Sequence, residues 1–191
     1  MVLLNQLLKK LEWKGKIMTI HFTKVIEPNP IIVNALNRWE NNPQLVPFIR
    51  PNKNKMELEQ QLQITIEEFK NRLDTQHFYL IFSDDKLVGE MNYMVDPNHL
   101  HKRAPGTAWI GITIGEENGR GKGIGFKAIQ HLEKEVKKQG LSRIELGVFE
   151  FNTRAYKLYQ QLGYQEIARI ADFTYWNDSM WSDIRMEKYL G

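Results

Sequence analysis

Four glycines, Gly119, Gly121, Gly123 and Gly125, fall on alternate residues between an apolar run at 109–114 and the start of a helical pattern. Arg120 and Lys122 stand among them. An apolar strand, a glycine-rich turn and a helix start together make an anion cradle. Glycine lets backbone N–H groups approach closely, and the first helical turn adds unpaired donors and the positive end of the dipole. The chemistry implied is binding of a phosphate-bearing ligand. Other residues can move protons. Glu90, Asp96, His99, His101 and Glu150 are the acids and imidazoles near the same stretch. By type and place each reads as a surface or turn group. Tyr159 shares a helix face with Ala155, Leu158 and Leu162, and by spacing it reads as a packing aromatic.

The 191 residues suit one domain, here expected over 18–191, with residues 1–17 as an added helical or disordered segment. Net charge is +3, which fits an anionic ligand but is too weak to argue for nucleic acid. Cysteine is absent, which excludes a disulfide framework, thiolate metal sites and a cysteine nucleophile. No apolar run approaches a membrane span, and a cytoplasmic protein is expected, with no membrane or nucleic-acid partner and no metal.

The elements that must position the cradle can be read in order. A short amphipathic helix is expected over 1–12, and the first strand over 19–26. A helix follows from Pro30 through Trp39, then a proline- and asparagine-rich loop over 41–54. One long helix is expected over 55–73, on the spacing of Leu62, Ile66, Phe69 and Leu73. Strands at 77–82 and 87–95 flank a hairpin turn. A polar connection, 96–106, leads to the strand before the glycines. The helix after them stops at Gly140. A strand over 142–151, a helix over 153–162 capped by Asn152, and a hairpin of 164–175 with 181–189 close the chain. The fold class is α/β (α+β) with a mixed sheet.

Three cradles compete for the glycines. A P-loop requires G-x-x-x-x-G-K-[ST], but Gly123 follows Lys122 where the metal-binding hydroxyl belongs. A dinucleotide fingerprint requires G-x-G-x-x-G, which alternate glycines never complete, although Glu145 lies where a ribose-binding acid would. The third pattern, R-x-x-G-x-G, is met in full by Arg120-Gly121-Lys122-Gly123-Ile124-Gly125. It resembles the pyrophosphate loop of the GNAT superfamily of N-acetyltransferases. A second block, from Asn152 through Ala155, Leu158, Tyr159 and Gly163 to Tyr164, matches that family's N-x-x-A-x-x-L-Y-x-x-x-G-[FY] pattern at every fixed position. Val88-Gly89, the run from His99 to Arg103 and the Asn-Asp-Ser turn are similar to the branch holding ribosomal-protein N-terminal and spermidine acetyltransferases.

The resemblance implies the GNAT fold, a mostly antiparallel twisted sheet flanked by helices. It implies direct acetyl transfer from acetyl-coenzyme A to a primary amine, on a small molecule or a peptide N-terminus, with a homodimer possible. A catalytically silent coenzyme A-binding module is the alternative, and a dinucleotide oxidoreductase a remote one. It implies that Gly121, Gly123, Ile124 and Gly125 hold the pyrophosphate, with Arg120 and Lys122 adding charge. Ile112, Thr113 and Ile114 would pair with the pantetheine arm as an added strand and stabilise the oxyanion. Asn152 would contact the arm, and Tyr159 would hydrogen-bond to the departing thiolate. Some relatives place a glutamate base five residues before that asparagine; here the position is Gly147. Glu90 and Glu150 are therefore the candidate bases. Trp39, Phe48, Tyr175, Trp176 and Trp181 lie where an amine cleft would form, without specifying the acceptor.

Overall fold

A computed structural model describes residues 18–191, so the helix read at 1–12 lies outside the described residues. Seven strands form one sheet: β1 (Ile20–Val25), β2 (His77–Ser83), β3 (Lys86–Val95), β4 (Thr107–Thr113), β5 (Arg143–Phe149), β6 (Gln165–Trp176) and β7 (Ser179–Tyr189). Their order is β1-β2-β3-β4-β5-β7-β6. Every pairing is antiparallel except that of β4 with β5. The two tight hairpins turn on Asp84-Asp85 and Asn177-Asp178, all four residues at positive φ. Asn and Asp tolerate that conformation better than most residues, which is why these short polar pairs end the strands.

Helices cover both faces. On one face α5 (Ile124–Lys138) and α6 (Thr153–Gln161) bury Ala128, Ile129, Leu132, Val136 and Tyr159 against Met91, Ile110, Ile144 and Met186. On the other, α1 (Pro30–Glu40) packs Ile32, Leu36 and Trp39 with Phe69 of α4 (Ile66–Leu73) onto Phe78 and Leu80. Asn29 caps α1 through Ile32 N at 3.0 Å, and Pro30 takes the first helical position, where its missing N–H costs nothing.

The expected long helix over 55–73 is two helices, α3 (Lys55–Glu59) and α4, separated by an extended stretch. The cause lies on α1. Asn37 and Asn41, one helical turn apart, each offer an amide to that stretch. Asn41 accepts from Leu62 N at 2.7 Å and donates to Leu62 O at 2.6 Å; Asn37 does the same for Ile64, at 2.7 and 2.9 Å. The backbone thus finds extended partners that compete with helix. A reciprocal capping box of Thr65 and Glu68 then starts α4. The expected loop over 41–54 also contains a helical turn, α2 (Val46–Ile49). Its end is fastened to β6: Asn52 N donates to Thr174 Oγ1 at 3.0 Å, and Tyr175 N to Asn52 O at 2.6 Å.

The feature that positions the site is a parting of the sheet. β4 and β5 pair only at Thr107–Arg143, Ala108–Ile144 and Trp109–Glu145. Beyond Trp109, β4 continues to Thr113 paired only with β3, and β5 to Phe149 paired only with β7. The two inner edges therefore open into a gap with unpaired strand edges on both sides.

Candidate active site

Arg143 locks the closed end of the gap. Its guanidinium reaches Glu145 Oε2 at 2.6 Å, Glu187 Oε2 at 2.8 Å and Thr107 Oγ1 at 3.0 Å, and all of these but Glu187 are fully buried. Glu145 also accepts the backbone N–H groups of His101 and Lys102. It is committed inside the sheet, which removes it as a ribose-binding acid.

The cradle closes the open end. Gly121 and Gly123 take φ of +76° and +74°, a conformation that favours glycine. The first bond of α5 runs from Lys127 N to Gly123 O at 3.2 Å. Among the described residues, the N–H groups of residues 121–126 donate to no protein acceptor. Successive free donors at a helix N-terminus, next to an unpaired strand edge, fit a pyrophosphate followed by an amide-bearing arm. Ile112 and Thr113 lie on that edge, Ile114 follows just past the strand's end, and Ile124 is buried beneath the first turn. Lys122 is exposed at the cradle. Arg120 behaves differently: it folds back to donate to Ile114 O at 3.1 Å and Gly115 O at 2.8 Å, fastening the loop to the end of β4.

The second sequence block meets the first here. Asn152 caps α6 through Ala155 N at 3.3 Å. Leu158 packs on Gly125, and an Arg154 Nη lies 3.6 Å from where a Cβ on Gly121 would stand. Arg154 is a cation at the cradle that sequence reading passed over, because it occupies a variable position of its motif. Arg154→Ala is expected to weaken coenzyme A binding three- to tenfold at low salt, and less at high salt, by calorimetry; an exposed cation near a phosphate contributes a screened interaction of about 1 kcal/mol.

Tyr159 comes from the helix below and is buried, with its ring edge-on to Tyr164 at 5.8 Å. Burial raises its phenol to about 12, so it stays protonated and keeps an O–H to donate.

The two candidate bases separate clearly. Glu150 is half-exposed and pairs with Arg169 at 2.8 Å. Glu90 is 8% exposed and lies on β3 opposite Thr113, across the strand that borders the gap. Burial lifts its carboxyl to about 7, against weaker pulls from hydrogen bonds with Thr113 and Asn92, the latter at 3.1 Å. It faces a cavity of about 230 Å³ lined by Trp39, Glu40, Arg72, Asn92 and Thr113. Of the other proton-carrying residues, Asp96 is used up in accepting Gly106 N and Thr107 N. His99 stacks edge-on against Trp109 at 4.7 Å.

Trp39 supports the site from α1. Its indole lies against Gly115, and its Nε1 donates to Glu116 at 2.9 Å, where Arg38 also pairs. Phe48, Phe151, Trp176 and Trp181 form a partly exposed wall with ring centroids 4.5–5.9 Å apart, joining α2 to the last hairpin. Tyr175 turns away to Asp178. Among the described residues there is no cluster that could hold a metal, and no helix long and apolar enough to cross a membrane.

The acetyltransferase (GNAT) family matches residues 35–164, a span that includes the gap, the cradle and α6. The chain belongs to that family. It is similar to the spermine/spermidine N(1)-acetyltransferase of Bacillus subtilis strain 168, 33% identical over 96 residues, or 47% of this chain and 61% of the relative. The uncharacterized N-acetyltransferase YycN of the same strain is 31% identical over 97 residues, covering 49% and 60%. The matched span is thus about three fifths of the length of these relatives. Among GNAT structures, a spermidine N-acetyltransferase from Vibrio cholerae, solved with CoA and spermine, gives a TM-score of 0.68 at 16% identity, covering 90% of this chain and 95% of that one. The ribosomal-protein-S18-alanine N-acetyltransferase from Escherichia coli gives 0.65 at 15%, covering 91% and 95%. At such identities the likeness is one of fold. The seven-stranded, mostly antiparallel sheet flanked by helices is the fold these GNAT proteins share.

Proposed function

We propose that the protein is an acetyl-CoA-dependent N-acetyltransferase that moves the acetyl group directly to a primary amine, on a small molecule or a protein N-terminus. One observation carries the reading. The β4–β5 gap ends at a run of free N–H donors, and a buried carboxylate poised near neutrality stands one strand away. Acetyl-CoA would supply an activated acetyl thioester. The residues that fit it are those of 121–125 with Arg154 at the pyrophosphate, and Ile112, Thr113 and Ile114 along the arm.

The chain's own groups then divide the work. An amine is mostly ammonium at neutral pH and must lose a proton to attack. Glu90, about half ionised at pH 7, can take that proton at a carboxylate oxygen, directly or through water. Backbone N–H groups on the β4 edge offer donors to the carbonyl oxygen as charge grows there. The Tyr159 hydroxyl donates to the leaving sulfur. A thiolate whose acid has a pKa near 8.5 departs readily, so Tyr159 contributes a hydrogen bond more than a proton. Tyr159→Phe is expected to lower kcat about tenfold, with coenzyme A affinity within twofold.

The test is release of free thiol from acetyl-CoA against polyamines, aminoglycosides, amino acids and N-terminal peptides. Spermidine and spermine head the panel because relatives are named for them. Amine-dependent release with a matching acetylated product supports the reading. Tight coenzyme A binding with no turnover on any amine would assign a silent binding module instead.

A further inference from the structure

A second buried carboxylate borders the gap. Asp183 lies on β7 opposite Phe149, as Glu90 lies on β3 opposite Thr113. Carrying the β4–β5 register forward from Trp109–Glu145 puts 113 level with 149, so the two acids share one row, one on each side of the opening. Ile184 and Met186 face the α5 core, so alternation turns Asp183 to the same face as Glu90.

Asp183 is 2% exposed. Its Oδ2 pairs with Arg185 Nε at 2.7 Å. Its Oδ1 has no partner at all among the described residues. Gly147 creates the space for this carboxyl. A Cβ there would stand 2.8 Å from both Asp183 oxygens and 3.0 Å from the Trp109 ring. The walls are aromatic: Arg185 lies 4.7 Å from the Trp109 centroid and 5.7 Å from that of Phe173. The charged and titratable groups facing Asp183 are Arg185 on its own strand and His99 from the 96–106 connection. Arg185 donates to His99 O at 3.1 Å, and burial, with Arg185, lowers the His99 pKa.

We propose that Asp183 receives the acceptor's ammonium at its Oδ1, on the β5 side of the gap beside Gly147. The proposal rests on the acetyltransferase reading for its place in the reaction. An ammonium has three N–H donors, and Asp183 Oδ1 is a buried acceptor lacking one. The Trp109 and Phe173 rings already carry the Arg185 guanidinium, so the free carboxylate oxygen is the feature that takes the amine. Asp183 thus holds and orients the amine while Glu90 takes its proton. The carboxyl is raised to about 6 by burial, against Arg185, and is ionised at pH 8.

Calorimetry on protein saturated with coenzyme A, at pH 8, tests this with n-butylamine, spermidine and spermine as probes. Asp183→Asn should bind these amines at least tenfold more weakly, with coenzyme A affinity within twofold. Gly147→Ala crowds the same carboxyl without removing its charge, and should weaken them several-fold. If Asp183→Asn fails to fold, Gly147→Ala decides. Amine binding within twofold of wild type in the decisive variant, or no uptake of any probe by wild type, overturns the proposal. Thiol release is read separately: amine binding that depends on Asp183 without turnover would retire the acetyltransferase reading and leave this one standing.

Discussion

Glu90→Gln should lower kcat/KM by about 10²–10³-fold and remove the limb near pH 7 from the pH–rate profile, leaving the one near 6 that Asp183 supplies. In the wild type, kcat/KM should rise with a slope near one between about pH 6 and 7, where Glu90 ionises, more steeply below about 6, where Asp183 also protonates, and then level until the amine itself titrates. A glutamate at its ordinary pKa would already be level by pH 6. The same residue has a stability signature of defined sign. Its folded pKa lies above its unfolded value, so between pH 4.5 and about 7 the native state holds more proton than the unfolded chain. Stability therefore falls as pH rises through that window and is flat above it. The ionised, buried carboxylate costs on the order of 3 kcal/mol at pH 8 and nothing below pH 4.5. Glu90→Gln should consequently raise Tm over wild type at pH 8 but not at pH 4.5. An unchanged acidic limb, with a rate within threefold of wild type, would remove Glu90 as the base.

Gly123→Val should weaken coenzyme A binding by at least 10²-fold while leaving the fold intact. Gly123 sits at φ +74° as the cap before α5, with no neighbouring atom within 4 Å of where a Cβ would stand. No core contact is lost, which keeps the stability cost to the backbone. A β-branched residue, however, is strongly disfavoured at that φ. The turn would rotate and withdraw N–H groups from the cradle. Binding within threefold of wild type, with an unshifted melting curve, would mean that the pyrophosphate lies elsewhere.

What the sequence made legible follows from which interactions are local. The cradle was readable because its glycines, the strand before it and the helix after it are contiguous, and Asn152 signalled its own cap. The hairpins were readable from Asp84-Asp85 and Asn177-Asp178. The break between α3 and α4 was not, because it depends on Asn37 and Asn41, more than twenty residues earlier. Apolar spacing through Leu62 and Ile66 mimicked one helix. Glu90 and Glu150 looked alike in the sequence; only burial separates a carboxyl raised toward 7 from one paired with Arg169 at the surface. Asp183 was passed over because it follows a serine in a hairpin of ordinary polarity. Its significance comes from Gly147, one strand away. Arg120 looked like a phosphate ligand by motif, yet the nearest free acceptors are the carbonyls of Ile114 and Gly115, and it bonds those.

A crystal structure with coenzyme A tests most directly whether the parting of β4 from β5 seats the acetyl donor. The pyrophosphate oxygens should lie within hydrogen-bond distance of backbone N–H groups in 121–126, with the pantetheine arm paired along Ile112, Thr113 and Ile114 and its sulfur toward Tyr159. Coenzyme A bound away from this opening, or β4 and β5 zipped together past Trp109 and Glu145 in the complex, would contradict the account.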